Sequence, residues 1–382
     1  MAGSQMQTAA ILWHVSLLVP APHRGLALGL VGLVRVTPIF LFSLLSGVVA
    51  DARNRRRLML GTQSGMALVA ATLAILTIRG LAVVWPVYAL AALAAAVGAF
   101  DGPARHSLLP ALVPREHLSN AIGLNTIMSQ SAAVLGPAVG GLVIAGLGVG
   151  WAYALNSLSF LGVIASLVLM RGLSDQPAGG ELSLRALGEG LRFVFASPLI
   201  RSTMLLDACA TFFSSATALL PIFAQDVLHV GARGYGWLYA GPALGAVLAS
   251  AVMVRLVDWI EWRGRVLLVA VAIYALATVV FGVSGWFWLT FLCLAVTGAG
   301  DTVSMVFRNV IRQLETPDHL RGRTVGVNML FFMGGPQLGE LEAGLVASWL
   351  GPVVSVVSGG IGALVATAWI AWRTPALRAY RR

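Results

Sequence analysis

The chain has 382 residues, of which 58% are hydrophobic and only 10% charged, against roughly 25% charged in a soluble globular protein, so water is excluded as its main solvent. The formal net charge of +10 rests on arginine alone, with no lysine. Those arginines are scattered in small groups between apolar runs, which argues against a nucleic-acid-binding face. Cys209 and Cys293 sit inside apolar runs, and the histidines at 14, 23, 106, 117, 229 and 319 show no metal-ligand or hydrolase spacing. Neither a disulfide framework, a metal centre nor an enzyme of that kind is indicated.

A membrane-spanning helix needs about 20 mostly apolar residues, and runs of that size recur from end to end. In chain order the expected spans are 2–19, 26–50, 57–79, 81–101, 119–147, 150–171, 199–226, 234–257, 265–284, 286–309, 324–347 and 350–373. The expectation is an all-α membrane protein of about twelve spans. The first run starts almost at Met1 and reaches only about 27 Å at 1.5 Å per residue, so it is expected to lack the usual flank of a first helix. The one long polar interval falls at 172–198, within which Leu184 to Phe195 is amphipathic and expected to lie on the membrane surface. The expected organisation is therefore a six-span bundle at 1–171, a central loop at 172–198, a second bundle at 199–373 and a basic tail at 374–382.

Most of the arginines fall on alternate loops and on the tail, with Arg105, Arg308 and Arg312 counted among those loops. By the positive-inside rule that side is cytoplasmic, which places both termini and the central loop in the cytoplasm and the protein in a cell membrane.

An internal repeat supports the division into halves. Gly98-Ala99-Phe100-Asp101 is followed by Pro114, His117-Leu118, Gly123-Leu124-Asn125, Leu135-Gly136 and Gly141-Leu142-Val143. Gly298-Ala299-Gly300-Asp301 is followed in the same order by Pro317, His319-Leu320, Gly326-Val327-Asn328, Leu338-Gly339 and Gly344-Leu345-Val346. Parallel repeats of six helices are an architecture of secondary transporters. Glycines four apart (Gly25 and Gly29, Gly136 and Gly140, Gly241 and Gly245, Gly335 and Gly339) mark the second, fifth, eighth and eleventh spans as places where backbones approach closely.

Between the second and third spans, Gly47, Asp51, Arg55 and Arg56 form a pattern that resembles the gating signature of the major facilitator superfamily. It departs from that signature at Ala52 and at Asn54, where Asn is expected to supply the left-handed turn. In the fifth span Ala132, Gly136, Pro137, Gly140 and Gly141 are similar to the superfamily's export-type packing motif. With these, the chain resembles the enterobactin-exporter and macrolide-efflux branch. The resemblance implies a major facilitator fold of two six-helix bundles and alternating access. It also implies a monomer exporting a siderophore, drug or amphipathic metabolite, with Trp13, Phe212 and Phe213 near a central cavity. No nucleotide-binding loop is present, so no cofactor is expected and the proton gradient is the expected energy source. Uptake by the same fold, and a non-transporting receptor or scaffold, stay open.

Ionisable residues inside spans are costly and mark function by default. Glu340, Glu342, Arg35 and Asp207 are the coupling or substrate candidates; Asp101, Arg105 and Asp301, near span ends, are candidates for a conformational latch.

Overall fold

The computed structural model describes residues 1–52, 54–170, 191–317 and 320–381. Those residues are almost wholly helical. The long helices are α1 (Ala2–Leu18), α2 (Arg24–Ala52), α3 (Arg55–Ile78), α4 (Val84–Leu112), α5 (Leu118–Leu147) and α6 (Val149–Leu169). They continue with α7 (Pro198–Phe213), α8 (Gly231–Leu256), α9 (Arg263–Val283), α10 (Phe287–Glu315), α11 (Arg321–Leu350) and α12 (Pro352–Arg373), and a short α13 (Pro375–Ala379) ends the chain. Ten stretches among the described residues are long and apolar enough to cross a membrane. Their outward faces carry large apolar side chains, among them Trp85, Leu169 and Val254 at more than three-quarters exposure, as lipid-facing and interfacial surfaces do.

Three features differ from the sequence reading. Helix α4 runs to Leu112 and α10 to Glu315, well past the expected ends at 101 and 309. Arg105 and Arg312, beyond the expected span ends, are therefore helical, and Asp101 and Arg308 lie well inside their helices. The expected span 199–226 is broken: α7 stops at Phe213, and Ser214 and Ser215 lead into a 3₁₀ turn at Ala216–Leu219. A single helical turn at Leu220–Ile222 and a π-helical turn at Phe223–Val227 follow. Pro221 lacks an N–H and cannot propagate the preceding ladder. Finally, Asn54 is not left-handed (φ −58°, ψ 115°); its side chain caps α3 by accepting from the Arg57 amide at 3.1 Å.

Contacts divide the chain into two compact units. The first is Met1–Pro20, Leu33–Leu182 and Gly231–Gly236; the second is Ala21–Gly32, Ser183–Val230 and Trp237–Arg382. In the first, α1 lies against α5 and α6, and α3 against α4 and α6. A methyl added at Gly136 would fall 2.5 Å from the Ala2 carbonyl oxygen, and one at Gly140 2.9 Å from Met6 Cγ, so these two glycines seat α1 on α5. Polar pairs join α1 to α6: Asn156 Nδ2 donates to Gln7 Oε1 at 2.6 Å, and His14 Nδ1 lies 3.2 Å from the hydroxyl of fully buried Tyr153. The start of α8 belongs here too, with a methyl at Gly141 only 2.7 Å from Gly236 Cα.

In the second unit α9 packs on α10 and α12, and α7 on α11 and α12, around a core that includes Leu206, Leu267, Val271, Phe307, Ile311 and Leu377. The start of α2 lies on α11: a methyl at Gly344 would fall 2.6 Å from Gly29 Cα. The Gly141–Gly236 and Gly344–Gly29 crossings are thus counterparts, one in each unit, at positions equivalent in the repeat. Close approach at that distance requires glycine on both partners.

Candidate functional site

A buried pair of opposite charges in the second unit lies where α7 and α10 meet. Arg308, 6% exposed, donates through one guanidinium nitrogen to Asp207 on α7, also 6% exposed, and through the other to Asp301 on its own helix at 3.3 Å. Asp301 and Arg308 are seven residues apart, two turns along one face of α10. Two carboxylates share the Arg308 guanidinium, and Arg312, one turn further along α10, adds a second cation within electrostatic reach of Asp207, so the four groups balance in charge. Asp207 is enclosed, whereas 45% of the Asp301 side chain remains exposed.

Asp301 borders a cavity of about 220 Å³ whose wall includes the broken end of α7 (Thr211, Ser214, Ser215, Thr217) and Tyr274, Thr278, Phe281 and Thr297. Irregular backbone at membrane depth is tolerated where it lines such a space. Four hydroxyls of that wall are already committed as donors. Thr211 donates to the Asp207 carbonyl at 2.8 Å, Ser215 to Pro336 at 2.8 Å, Thr278 to Tyr274 at 3.0 Å and Thr297 to Leu294 at 2.6 Å. A hydroxyl has one proton and two lone pairs, so towards the cavity these four groups act as acceptors. Together with the Asp301 carboxylate they make a surface suited to a proton, a cation or a group rich in hydrogen-bond donors.

Asp101, the counterpart of Asp301 in the repeat, is placed differently. Its carboxylate accepts from Thr62 Oγ1 at 2.9 Å and Gln63 Nε2 at 2.7 Å on α3, and from Arg105 at 2.9 Å one turn along α4. It is 7% exposed and joins α3 to α4.

The remaining expected residues are not brought to one place. Glu340 and Glu342 are two positions apart on α11, about 200° around a helix, and do not share a face; the Glu340 carboxylate lies against α2, where a methyl at Gly32 would fall 2.7 Å from Oε2. Arg35 is half-buried on α2. Trp13 is buried and stacked on Tyr235 with centroids 5.1 Å apart. Phe212 and Phe213 stand edge to face, with Phe213 against Gly362 of α12. In the gating signature the side chains of Gly47, Asp51 and Arg55 lie outside the described residues. Arg56 donates to the Leu167 and Val168 carbonyls at 2.6 and 2.7 Å, capping the end of α6 as a cation does at a helix C-terminus. Arg308 is the residue that sequence reasoning missed. The available signal was its two-turn spacing from Asp301, set aside because it was counted among topogenic loop arginines.

A buried ionic cluster beside an acceptor-lined cavity, in a bundle of long apolar helices with an internal six-helix repeat, defines a multi-pass membrane transporter of the major facilitator type. The chain belongs to the transmembrane secretion effector family, whose model matches residues 1–380.

Among curated relatives, the enterobactin exporter EntS of Escherichia coli O1:K1 is 30% identical over 256 residues, 67% of this chain and 61% of that protein. The EntS of Shigella boydii serotype 18 matches to the same extent, so the matched region spans about three-fifths of these relatives. The fold is similar to that of a bacterial homologue of the human lysosomal transporter Spinster, solved inward-facing and unoccupied (TM-score 0.74, 15% identity, 100% of this chain and 97% of that one). It is also similar to a bacterial homologue of the iron transporter ferroportin (TM-score 0.71, 14% identity, 99% and 95%).

Proposed function

We propose that this protein exports a partly apolar small molecule, a siderophore, drug or amphipathic metabolite, in exchange for protons by alternating access. In this reading it works in a cell membrane as a monomer with both termini cytoplasmic, and needs no cofactor. The observation that carries the reading is the cluster of Asp207, Arg308 and Asp301, opening at Asp301 onto a cavity lined in part by hydrogen-bond acceptors. A carboxylate half-open to a cavity can exchange a proton where the enclosed Asp207 cannot. The cavity, at about 220 Å³, is smaller than the 300–1,000 Å³ typical of a whole-ligand pocket, so it suits protons, water or one donor-rich group of a larger substrate. The export direction is supported by family membership and by the EntS relatives.

The test is transport in proteoliposomes under an imposed pH gradient. Substrate flux should alkalinise or acidify the lumen in step with its own direction and stop when an ionophore collapses the gradient. Full-rate flux without a gradient would leave facilitated diffusion or another coupling ion as the better account.

A further inference from the structure

A second cluster of cations lies where the C-terminal strap meets α9. After α12 the chain turns back through α13, and Leu377 is completely buried in the core. Gly264, the second residue of α9, lies directly under the Leu377 carbonyl, and its amide donates to the Tyr380 carbonyl at 3.3 Å. Ser202 and Thr374 pair at 2.8 Å, and the Tyr380 hydroxyl donates to Glu315 at 3.2 Å. This docking brings Arg381 over the ring of Trp262 at 3.3 Å, while Arg265 lies 3.8 Å from the same ring centroid. Two guanidinium groups are thereby held within about 7 Å of each other.

Arg263, the first residue of α9, is only 6% exposed, and its Nε is buried without a hydrogen-bond partner, whereas Arg265 and Arg381 are exposed. Its nearness to the strap shows at Tyr380, whose hydroxyl is pushed up by burial and then by Glu315 while Arg263 pulls the other way. The first unit supplies an internal control. Arg56 precedes Arg263 by the same 207 positions that separate Gly29 from Gly236, and Arg56 is satisfied by two carbonyls at the end of α6. Arg24, Arg105 and Arg308 make ion pairs with aspartates of their own units. A buried unsatisfied donor calls for a group that the protein itself does not supply, and the start of α9 adds the positive end of a helix.

We propose that Arg265 and Arg381, both held on the Trp262 ring at the start of α9, bind the phosphate headgroup of an anionic phospholipid. The lipid source is favoured over a soluble phosphate by position: Trp259 and Trp372, at 83% and 69% exposure, flank the cluster at the ends of α8 and α12, where an interfacial belt of tryptophan belongs. Basic clusters at such a boundary attract anionic headgroups. Because Arg381 comes from the strap, headgroup binding also holds the strap down.

The test uses the full chain in vesicles of phosphatidylcholine alone or evenly mixed with phosphatidylglycerol, read by the midpoint of thermal unfolding. Phosphatidylglycerol should raise the midpoint by about 3 °C or more for the wild type and for Arg57→Gln, an exposed arginine of the first unit. Arg265→Gln and Arg381→Gln, both at exposed positions and so expected to fold, should each lose at least half of that gain, and together all of it. An equal gain in the double variant, or none in the wild type, overturns the site. Glycerol phosphate that reproduces the gain in plain phosphatidylcholine overturns the lipid assignment in favour of a soluble anion.

Discussion

Asp101 and Asp301 occupy the same place in the two copies of the repeat and do different things. Asp101 receives three donors between 2.7 and 2.9 Å, two of them from α3, and is enclosed. Asp301 receives one contact at 3.3 Å and borders a cavity. Two local differences produce this. Arginine follows Asp101 by one turn and is its own partner, whereas it follows Asp301 by two turns and is taken chiefly by Asp207. The facing helix supplies Thr62 and Gln63 in the first unit, but Tyr274 and Thr278 in the second, where Thr278 donates to its own helix. The repeat therefore fixes where a carboxylate stands, and its neighbours decide whether it is a strut or a titratable group.

The largest effect should come from removing the charge that occupies Arg308. Asp207→Ala leaves a buried guanidinium with only the distant Asp301 contact and should destabilise the second unit by about 3–5 kcal/mol. Adding Arg308→Leu should recover most of that loss, because a buried pair replaced by apolar groups is often neutral. Thermal unfolding of the single and double variants measures both, and an unaltered midpoint in Asp207→Ala would remove the pair from the forces joining α7 to α10.

Asp301→Asn should show the opposite profile. Folding should change little, since the carboxylate is half-exposed, while gradient-driven flux should fall tenfold or more, equivalent to about 1.4 kcal/mol in the rate. Retained gradient dependence in that variant would move proton exchange elsewhere, with Glu340 the next carboxylate to replace. Asp101→Asn exchanges an ionised acceptor of three hydrogen bonds for a neutral one that cannot accept them all. It should cost about 1–3 kcal/mol of stability and leave the gradient dependence of transport in place. If Asp101→Asn instead uncouples transport, the two aspartates are not divided as described.

The fold class was legible because hydropathy and the repeat both act over whole helices. The close glycine crossings were legible in part: Gly136 and Gly140 were identified, and they do seat α1, while the Gly141–Gly236 and Gly344–Gly29 contacts needed coordinates to reveal their partners. The ionic cluster was half-legible. Asp207 and Asp301 stood out as acids within or near spans, but Arg308, in the last turn of the expected span 286–309, was counted with the loop arginines because hydropathy alone ends a helix near the first dense group of charges. A charge satisfied inside the bundle extends a helix past that point, and hydropathy carries no information about satisfaction. The break after Phe213 escaped for the converse reason: Ser214 to Leu220 is apolar enough to read as a continuous span. The coupling role expected for Glu340 and Glu342 as a pair meets the plain geometry of a two-residue spacing.

The smallest predicted effect tests the cavity wall itself. Thr297→Val keeps the shape of the side chain and removes the hydroxyl whose proton goes to the Leu294 carbonyl at 2.6 Å. That carbonyl sits mid-helix and keeps its backbone partner, so stability should move by no more than about 0.5 kcal/mol. What changes is the cavity side, where one acceptor becomes a methyl group. If donor-bearing groups of the substrate or water-borne protons use that wall, the apparent affinity for substrate or the proton-dependence of flux should weaken by roughly 2- to 5-fold, in proportion to one modest hydrogen bond. An apolar binding pocket predicts the reverse sign, since the variant would enlarge its hydrophobic lining. Tighter apparent binding in Thr297→Val would therefore reassign the cavity to the apolar part of the substrate and leave Asp301 as its single polar contact.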